Sequence, residues 1–267
     1  MSAEEPTSTD GRRSAEQWAE LLAAGWERRA RDPARDFYVA SNPGWRDPET
    51  WARYARQDLE LFLVELDRAE LARSDVLEIG CGSGRLVPFL RPSIRSYSGF
   101  DIAPGMIDAA RERTAALADV RFAVGDGLAV PPEFADRRYA LVFAVAVFIH
   151  CPRDVIERNV RSAWPLVAPG GCLRFQVLAD PSDATGLAPS DGSAELQREV
   201  ESFVAESTHE QRALADEPHY MGHRFRYDEV LALMEAAAAG GTVTLYRGDL
   251  AAIYGSIVKV SESTDEA

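Results

Sequence analysis

The residue types best suited to chemistry stand in one run, Glu78-Ile79-Gly80-Cys81-Gly82-Ser83-Gly84-Arg85. Glycines at alternate positions let backbone approach a ligand where a Cβ would collide. Alone the run is a weak signal, since a tight turn asks for the same residues. Two carboxylates strengthen it. Asp101 lies 21 residues after Gly80, and Asp126 a further 25, each closing a short apolar run. A carboxylate at the first position can accept both hydroxyls of a ribose, and one at the second can meet a purine edge. Asp101 by itself could instead be a helix N-cap or turn former. One such explanation covering the glycines and both acids is the poorer account.

The spacing also bears on phosphate. A dinucleotide site wants Gly-x-Gly-x-x-Gly, whose third glycine and helix N-terminus favour a pyrophosphate. Gly80, Gly82 and Gly84 give Gly-x-Gly-x-Gly with Arg85 next. That pattern favours a nucleoside without a diphosphate.

Other candidates are less specific. His150, in Val147-Phe148-Ile149-His150-Cys151-Pro152, has an imidazole whose ordinary pKa suits proton transfer near neutrality. It could equally hydrogen-bond backbone and shape its loop. His219, Tyr220 and His223 precede Arg224, Arg226 and Tyr227. They become substrate contacts if the region folds over the site and surface loop residues otherwise. Tyr38, Trp45 and Trp51 join them as candidate pocket lining, although aromatics at helical spacing are more often core. Cys81, Cys151 and Cys172 are too few and too oddly spaced for a disulfide framework or a zinc knuckle, so no metal site is expected.

These residues need strands and helices to position them. Strands are expected over Val76–Ile79, Tyr97–Phe100, Val120–Val124, Tyr139–Val147 and Cys172–Leu178. Helices are expected from about Arg85 to Leu90, Pro104 to Leu117 and Arg153 to Val167. Alternation at this pace means an α/β fold, a parallel sheet covered on both faces. Ligands of such sheets lie beyond the carboxyl ends of the strands. Ahead of the sheet, residues 14–70 read as an N-terminal helical region, with helices at 14–31 and from about Pro48 to Ala69. Residues 71–260 form the core, interrupted by a cap or insertion at 179–225 that contains a loop and one short helix. A helix from Tyr227 to Ala239 then precedes strands Thr242–Arg247 and Ile253–Val260. Their link is too short for a helical crossover, so they run antiparallel. Residues 1–13 and 261–267 read as disordered tails.

Composition removes whole classes. The chain has 267 residues, 29 basic and 43 acidic, for a formal charge of −14. That sign repels a phosphate backbone, and no basic cluster offsets it, so a small molecule is the expected partner and nucleic acid is not. Lys259 is the sole lysine, which leaves a P-loop or Schiff-base mechanism without its lysine. No apolar run reaches the ~18 residues of a membrane helix, and the polar N-terminus lacks the layout of a secretory signal. A cytoplasmic protein is expected; the oligomeric state has no signature.

Taken in order, Val76–Arg85, Asp101–Met106, Val124–Gly127, Tyr139–Pro152 and Leu166–Gly171 resemble the motifs of the class I S-adenosylmethionine-dependent methyltransferases. The resemblance implies a seven-stranded sheet in the order 3-2-1-4-5-7-6 with the last strand antiparallel, and S-adenosylmethionine as cofactor. It assigns Glu78, Gly80, Gly82 and Gly84, with Cys81 in the same loop, to the methionine and ribose side. Asp101 takes the ribose hydroxyls, and Ile102 and Met106 pack near the adenine. Asp126 and Gly127 hold the adenine amino edge, while Ala144 and Val145 line the cofactor. Two positions depart from the family: Ala140 stands where an acid is frequent, and Val145 where a polar residue is. The implied activity is methyl transfer to a small-molecule acceptor by in-line displacement, with His150 as candidate base. Two rivals stay open, a nicotinamide oxidoreductase and a non-catalytic S-adenosylmethionine-binding protein.

Overall fold

A computed structural model describes residues 13–40, 46–180, 182–183, 222–247 and 252–260. Eight strands form one sheet: β1 (Asp75–Ile79), β2 (Ser96–Asp101), β3 (Val120–Val124), β4 (Tyr139–Ala144), β5 (Val167–Ala179), β6 (Arg224–Phe225), β7 (Gly241–Arg247) and β8 (Ala252–Lys259). Their order is β3-β2-β1-β4-β5-β8-β7, with β6 pairing the end of β5. Strands β1 to β5 run parallel to their neighbours, and β8 runs antiparallel to both β5 and β7. With β6 set aside this is the expected order, with the expected antiparallel strand. At two residues, β6 is too short to leave any alternation in the sequence.

Register puts the chemistry at one edge. Ile79 pairs with Phe100, so the glycine loop leaves β1 beside the end of β2, and Asp101 in turn pairs with Val124 at the end of β3. The central strands are buried on both faces, as near-continuous apolar runs require. Leu77, Ile79, Val142 and Ala144 face one core, while Val76, Leu141 and Phe143 face the other. The first core is covered by α7 (Arg153–Ala163) and α8 (Tyr227–Ala237), the second by α3 (Pro48–Leu63) and α5 (Val87–Leu90).

Several boundaries differ from expectation, β4 for instance ending at Ala144 and not at Val147, and four of them have a local reason. The helix expected to reach Ala69 stops at Leu63; Glu65 turns to φ 62°, and Asp67 caps a separate α4 (Arg68–Leu71) by accepting from Ala69 and Glu70 N–H. A side chain that offers the backbone such bonds competes with helix continuation. The helix expected to reach Leu117, α6 (Pro104–Arg113), ends at Arg113, where Thr114 Oγ1 donates back to the Ala110 carbonyl at 2.8 Å. Helix α7 ends at Ala163 because Pro165 lacks the N–H the next turn needs. Strand β5 begins five residues early, at Val167. Its Gly171 sits where a Cβ would be 2.8 Å from the Ala140 carbonyl, at an irregularity in the β4 pairing.

Two N-terminal helices close the ligand edge. Helix α1 (Ala15–Arg31) starts at a capping box, Ser14 with Gln17, and lies across α6 and α7. Glu27 accepts from the Gly105 N–H at 2.8 Å, tying α1 to the start of α6. The six-residue α2 (Arg35–Ala40) was too short to read from periodicity. Its Asp36 accepts from the Ser83 hydroxyl at 2.9 Å and from Arg113 at 2.7 Å, so α2 is fastened to the glycine loop itself. The two tails and most of the 179–225 insertion lie outside the described residues. Among those described, no helix is long and apolar enough to cross a membrane.

Candidate active site

Gly80, Gly82 and Gly84 all have positive φ, at 66°, 51° and 71°. A side chain there is strained whatever the space. At Gly80 the space is also missing, because a Cβ would sit 2.4 Å from Val147 Cγ2. Asp101 fastens this loop to β2. Its Oδ2 accepts from Gly82 N–H and its Oδ1 from Ala103 N–H, both at 2.9 Å. Burial pushes Asp101 up to about 6, even though the N–H groups of Ala103 and Gly82 favour its charged form. Glu78, on β1, is pushed up to about 7 by burial, against the opposing pull of the Tyr97 hydroxyl and the Arg85 charge. Tyr97 donates to Glu78 Oε2 at 2.5 Å, reaching it across Gly99, where a Cβ would come within 2.6 Å of the phenol oxygen.

Around these groups lies a cleft open to solvent. Its floor is the glycine loop with Glu78 and Asp101. Ile102, Met106 and Gly127 form one wall, and Val145 to Val147, His150 and Cys151 another. Val155 and Asn159 enter from α7, while Leu22 and Trp26 of α1 and Val39 of α2 form the roof. The edge of the Trp26 ring meets His150, with ring centres 5.1 Å apart.

Ten of the expected residues therefore share one cavity: Glu78, Gly80, Cys81, Gly82, Asp101, Ile102, Met106, Gly127, Val145 and His150. Others stand apart from it. Gly84 serves helix packing, since a Cβ there would lie 3.0 Å from Ala110 Cβ. Asp126 is exposed, and its Oδ1 accepts from Leu128 and Ala129 N–H at 2.8 and 2.9 Å, capping its own turn. Ala144 is buried in the strand core. Tyr38 is buried against Phe37 and under the Arg29 guanidinium. Trp51 lies behind the loop, between Arg85 and Arg113. His223 packs edge-on against Trp18 while its N–H donates to the Ile149 carbonyl at 3.1 Å, next to the His150 turn. Trp45, His219 and Tyr220 fall outside the described residues.

The cleft also contains residues that were not expected. Trp26 lies in an apolar stripe at helical spacing, the pattern of a core residue. Ala146 carries φ 55° in a run of small apolar residues that gives no warning of it; strain of this kind gathers at functional sites. Arg85, 4% exposed, gives Nη2 to Asp58 Oδ2 at 2.5 Å. Its Nε and Nη1 have no hydrogen-bond partner among the described residues. The cysteines are buried and free, with burial holding Cys151 at about 12, and no group of metal-ligating side chains occurs among the described residues.

Comparison with known proteins agrees with this geometry. Residues 76–171 match the family described as a methyltransferase domain. A malonyl-[acyl-carrier protein] O-methyltransferase of Serratia marcescens is 27% identical over 176 residues, 65% of this chain and 66% of that one. Nodulation protein S of Rhizobium tropici is 26% identical over 51% of this chain and 56% of that one. In both cases less than two thirds of the relative is spanned. Among solved structures, DhpI with S-adenosylhomocysteine superposes with a TM-score of 0.56 at 20% identity, covering 92% of this chain and 98% of that one. The N-methyltransferase NodS from Bradyrhizobium japonicum gives 0.56 at 19%, covering 89% and 97%. At those identities the superpositions speak for the fold. The matched stretch, with the glycine loop and Asp101 in place, is thus similar to a methyltransferase domain.

Proposed function

We propose that this protein transfers a methyl group from S-adenosylmethionine to a small-molecule acceptor. The observation that carries the reading is the buried Asp101 carboxylate, bound to Gly82 and Ala103 N–H in the floor of the cleft. Its remaining lone pairs suit the two hydroxyls of a ribose. The rest of the floor fits the same cofactor. Glu78 suits a cationic amine, and the two unpartnered N–H groups of buried Arg85 match a carboxylate. A diphosphate would instead meet Glu78 and Asp101, two buried acids, with Arg85 already neutralised by Asp58. This is the physical argument against a nicotinamide dinucleotide.

When bound, S-adenosylmethionine supplies a methyl group activated by its positively charged sulfur. The chain's own task is alignment and exclusion of water. Positioning of this kind is worth up to ~7–11 kcal/mol, and the roof formed by Leu22, Trp26 and Val39 supplies it. His150 is the group that could hold a proton, at an imidazole nitrogen, when the acceptor must lose one. General-base help of that kind adds ~10²–10⁴-fold. Because Trp26 packs on it and Leu22, Cys151 and Val155 line the same cleft, the acceptor we favour has an apolar or aromatic body. The relatives named for malonyl-acyl-carrier-protein methylation support a second reading, an acceptor tethered to a carrier protein.

Isothermal titration with S-adenosylhomocysteine and with NADH tests the proposal. The expected result is saturable binding of the first and none of the second; binding of NADH alone would favour the oxidoreductase. Label transfer from methyl-labelled cofactor to a metabolite pool, against the same pool thioesterified to carrier protein, separates the two acceptor classes.

A further inference from the structure

The residue that resemblance assigns to the adenine amino group, Asp126, stands outside the cleft with one carboxylate oxygen spent on its own turn. A different polar side chain reaches that wall. Asn159 lies on α7, lines the cavity and is 4% exposed. Its Nδ2 donates to the Gly127 carbonyl at 2.7 Å and to the Val155 carbonyl at 2.9 Å. Both amide hydrogens are committed, which fixes the orientation of the group. Turned over, its oxygen would face two carbonyl oxygens. Oδ1 accepts no hydrogen bond from any described residue, so it is the polar atom that Asn159 can offer the cavity. Gly127 is in turn locked against Ile102, whose Cδ1 would lie 2.3 Å from a Cβ there. The amide is thus held by the same short segment that forms the purine end of the cleft.

We propose that Asn159 Oδ1 is the acceptor that selects a 6-amino purine over a 6-oxo purine, a specificity-determining contact that rests on the cofactor reading above. Adenine presents an exocyclic amine that donates; hypoxanthine presents a carbonyl oxygen in its place. A locked acceptor pairs with the first and repels the second. The amide cannot turn to suit hypoxanthine without giving up its bonds to Gly127 and Val155. Discrimination by a buried polar group is strong because the wrong partner leaves that group desolvated and unpaired. Selection would then come from a helix after β4, outside the glycine loop and both strand-end acids.

The test is calorimetric binding of S-adenosylhomocysteine and S-inosylhomocysteine to the full chain and its variants. Wild type is expected to prefer the adenine ligand by about 10–100-fold, the cost of one misplaced buried hydrogen bond. In Asn159→Leu and Asn159→Ser the preference should shrink to about 3-fold or less, a residue of that cost. Asp126→Ala should keep the wild-type ratio. A purely structural role for Asn159 would weaken both ligands equally and leave the ratio untouched. Equal binding by wild type, persistence of the ratio in a folded Asn159 variant, or its collapse in Asp126→Ala would each overturn the inference. Should Asn159→Leu fail to fold, the serine variant and the wild-type ratio still decide. Binding of neither ligand by wild type overturns the cofactor reading and takes this inference with it.

Discussion

Asp101 and Glu78 are two acids buried where water cannot solvate their charge, and their consequences differ for ligand and for stability. Asp101 must be ionised to accept ribose hydroxyls well, and burial holds it at about 6. The Asp101 share of the affinity for S-adenosylhomocysteine is therefore expected to be flat above pH 7 and to fall below pH 6, by about tenfold per unit for its one coupled proton. Titration calorimetry between pH 5 and 8 reads this directly; a pH-independent Kd contradicts it. Asp101→Ala, which also strands the Gly82 and Ala103 N–H groups, should weaken binding by about 100-fold, the worth of two hydrogen bonds to a charged group. Residue chemistry of this sort was legible early. The glycines and Asp101 announce themselves by type and spacing, because only glycine tolerates that backbone and only an acid serves two hydroxyls. Ala146, Arg85 and Asn159 were not legible, since positive φ at an alanine and the direction of a buried side chain are set by tertiary neighbours.

At the scale of elements, the roof over the cleft hangs on a few polar contacts. Asp36 connects α2 both to Ser83 in the glycine loop and to Arg113 on α6. Asp36→Ala should loosen α2 while leaving the sheet intact. We expect S-adenosylhomocysteine to dissociate about 5–30-fold faster, the equivalent of about 1–2 kcal/mol for a partly buried charged contact. Trp26 fluorescence in a stopped-flow displacement reads that rate, and an unchanged rate would mean that the roof does not gate the ligand. The strands were predicted well because buried parallel strands carry unbroken apolar runs. Helix ends were predicted less well. Asp67 starts a new helix by capping it, and Thr114 and Pro165 mark helix ends through one local hydrogen bond, or the lack of one, and hydrophobic periodicity is blind to such contacts. Trp26 illustrates the converse, since a helical apolar stripe looks the same whether it faces core or ligand.

For the molecule as a whole, the raised acids mean that the ligand site is built at the expense of stability. The unfolded chain releases the Glu78 proton near 4.5, whereas the folded protein holds it to about 7. The folded state thus carries the extra proton across that window. Stability assignable to Glu78 is full below pH 4.5 and is lost as pH rises through about 7. Glu78→Gln should therefore raise the ligand-free Tm at pH 8, by a few degrees for roughly 1–3 kcal/mol, with the gain shrinking at pH 5. Thermal melts at the two pH values check both sign and window. The fold class and strand order were legible at this scale because alternation and crossover handedness leave few topologies. The acceptor was not, because α1 and α2, which close the ligand edge, carry no motif that constrains their residues.

A crystal structure with S-adenosylhomocysteine bound tests the central claim most directly. The account predicts both ribose hydroxyls on the Asp101 carboxylate, the amino-acid tail between Glu78 and Arg85, and the sulfur open toward Trp26 and His150. A ligand seated elsewhere, or a ribose held without Asp101, would contradict it.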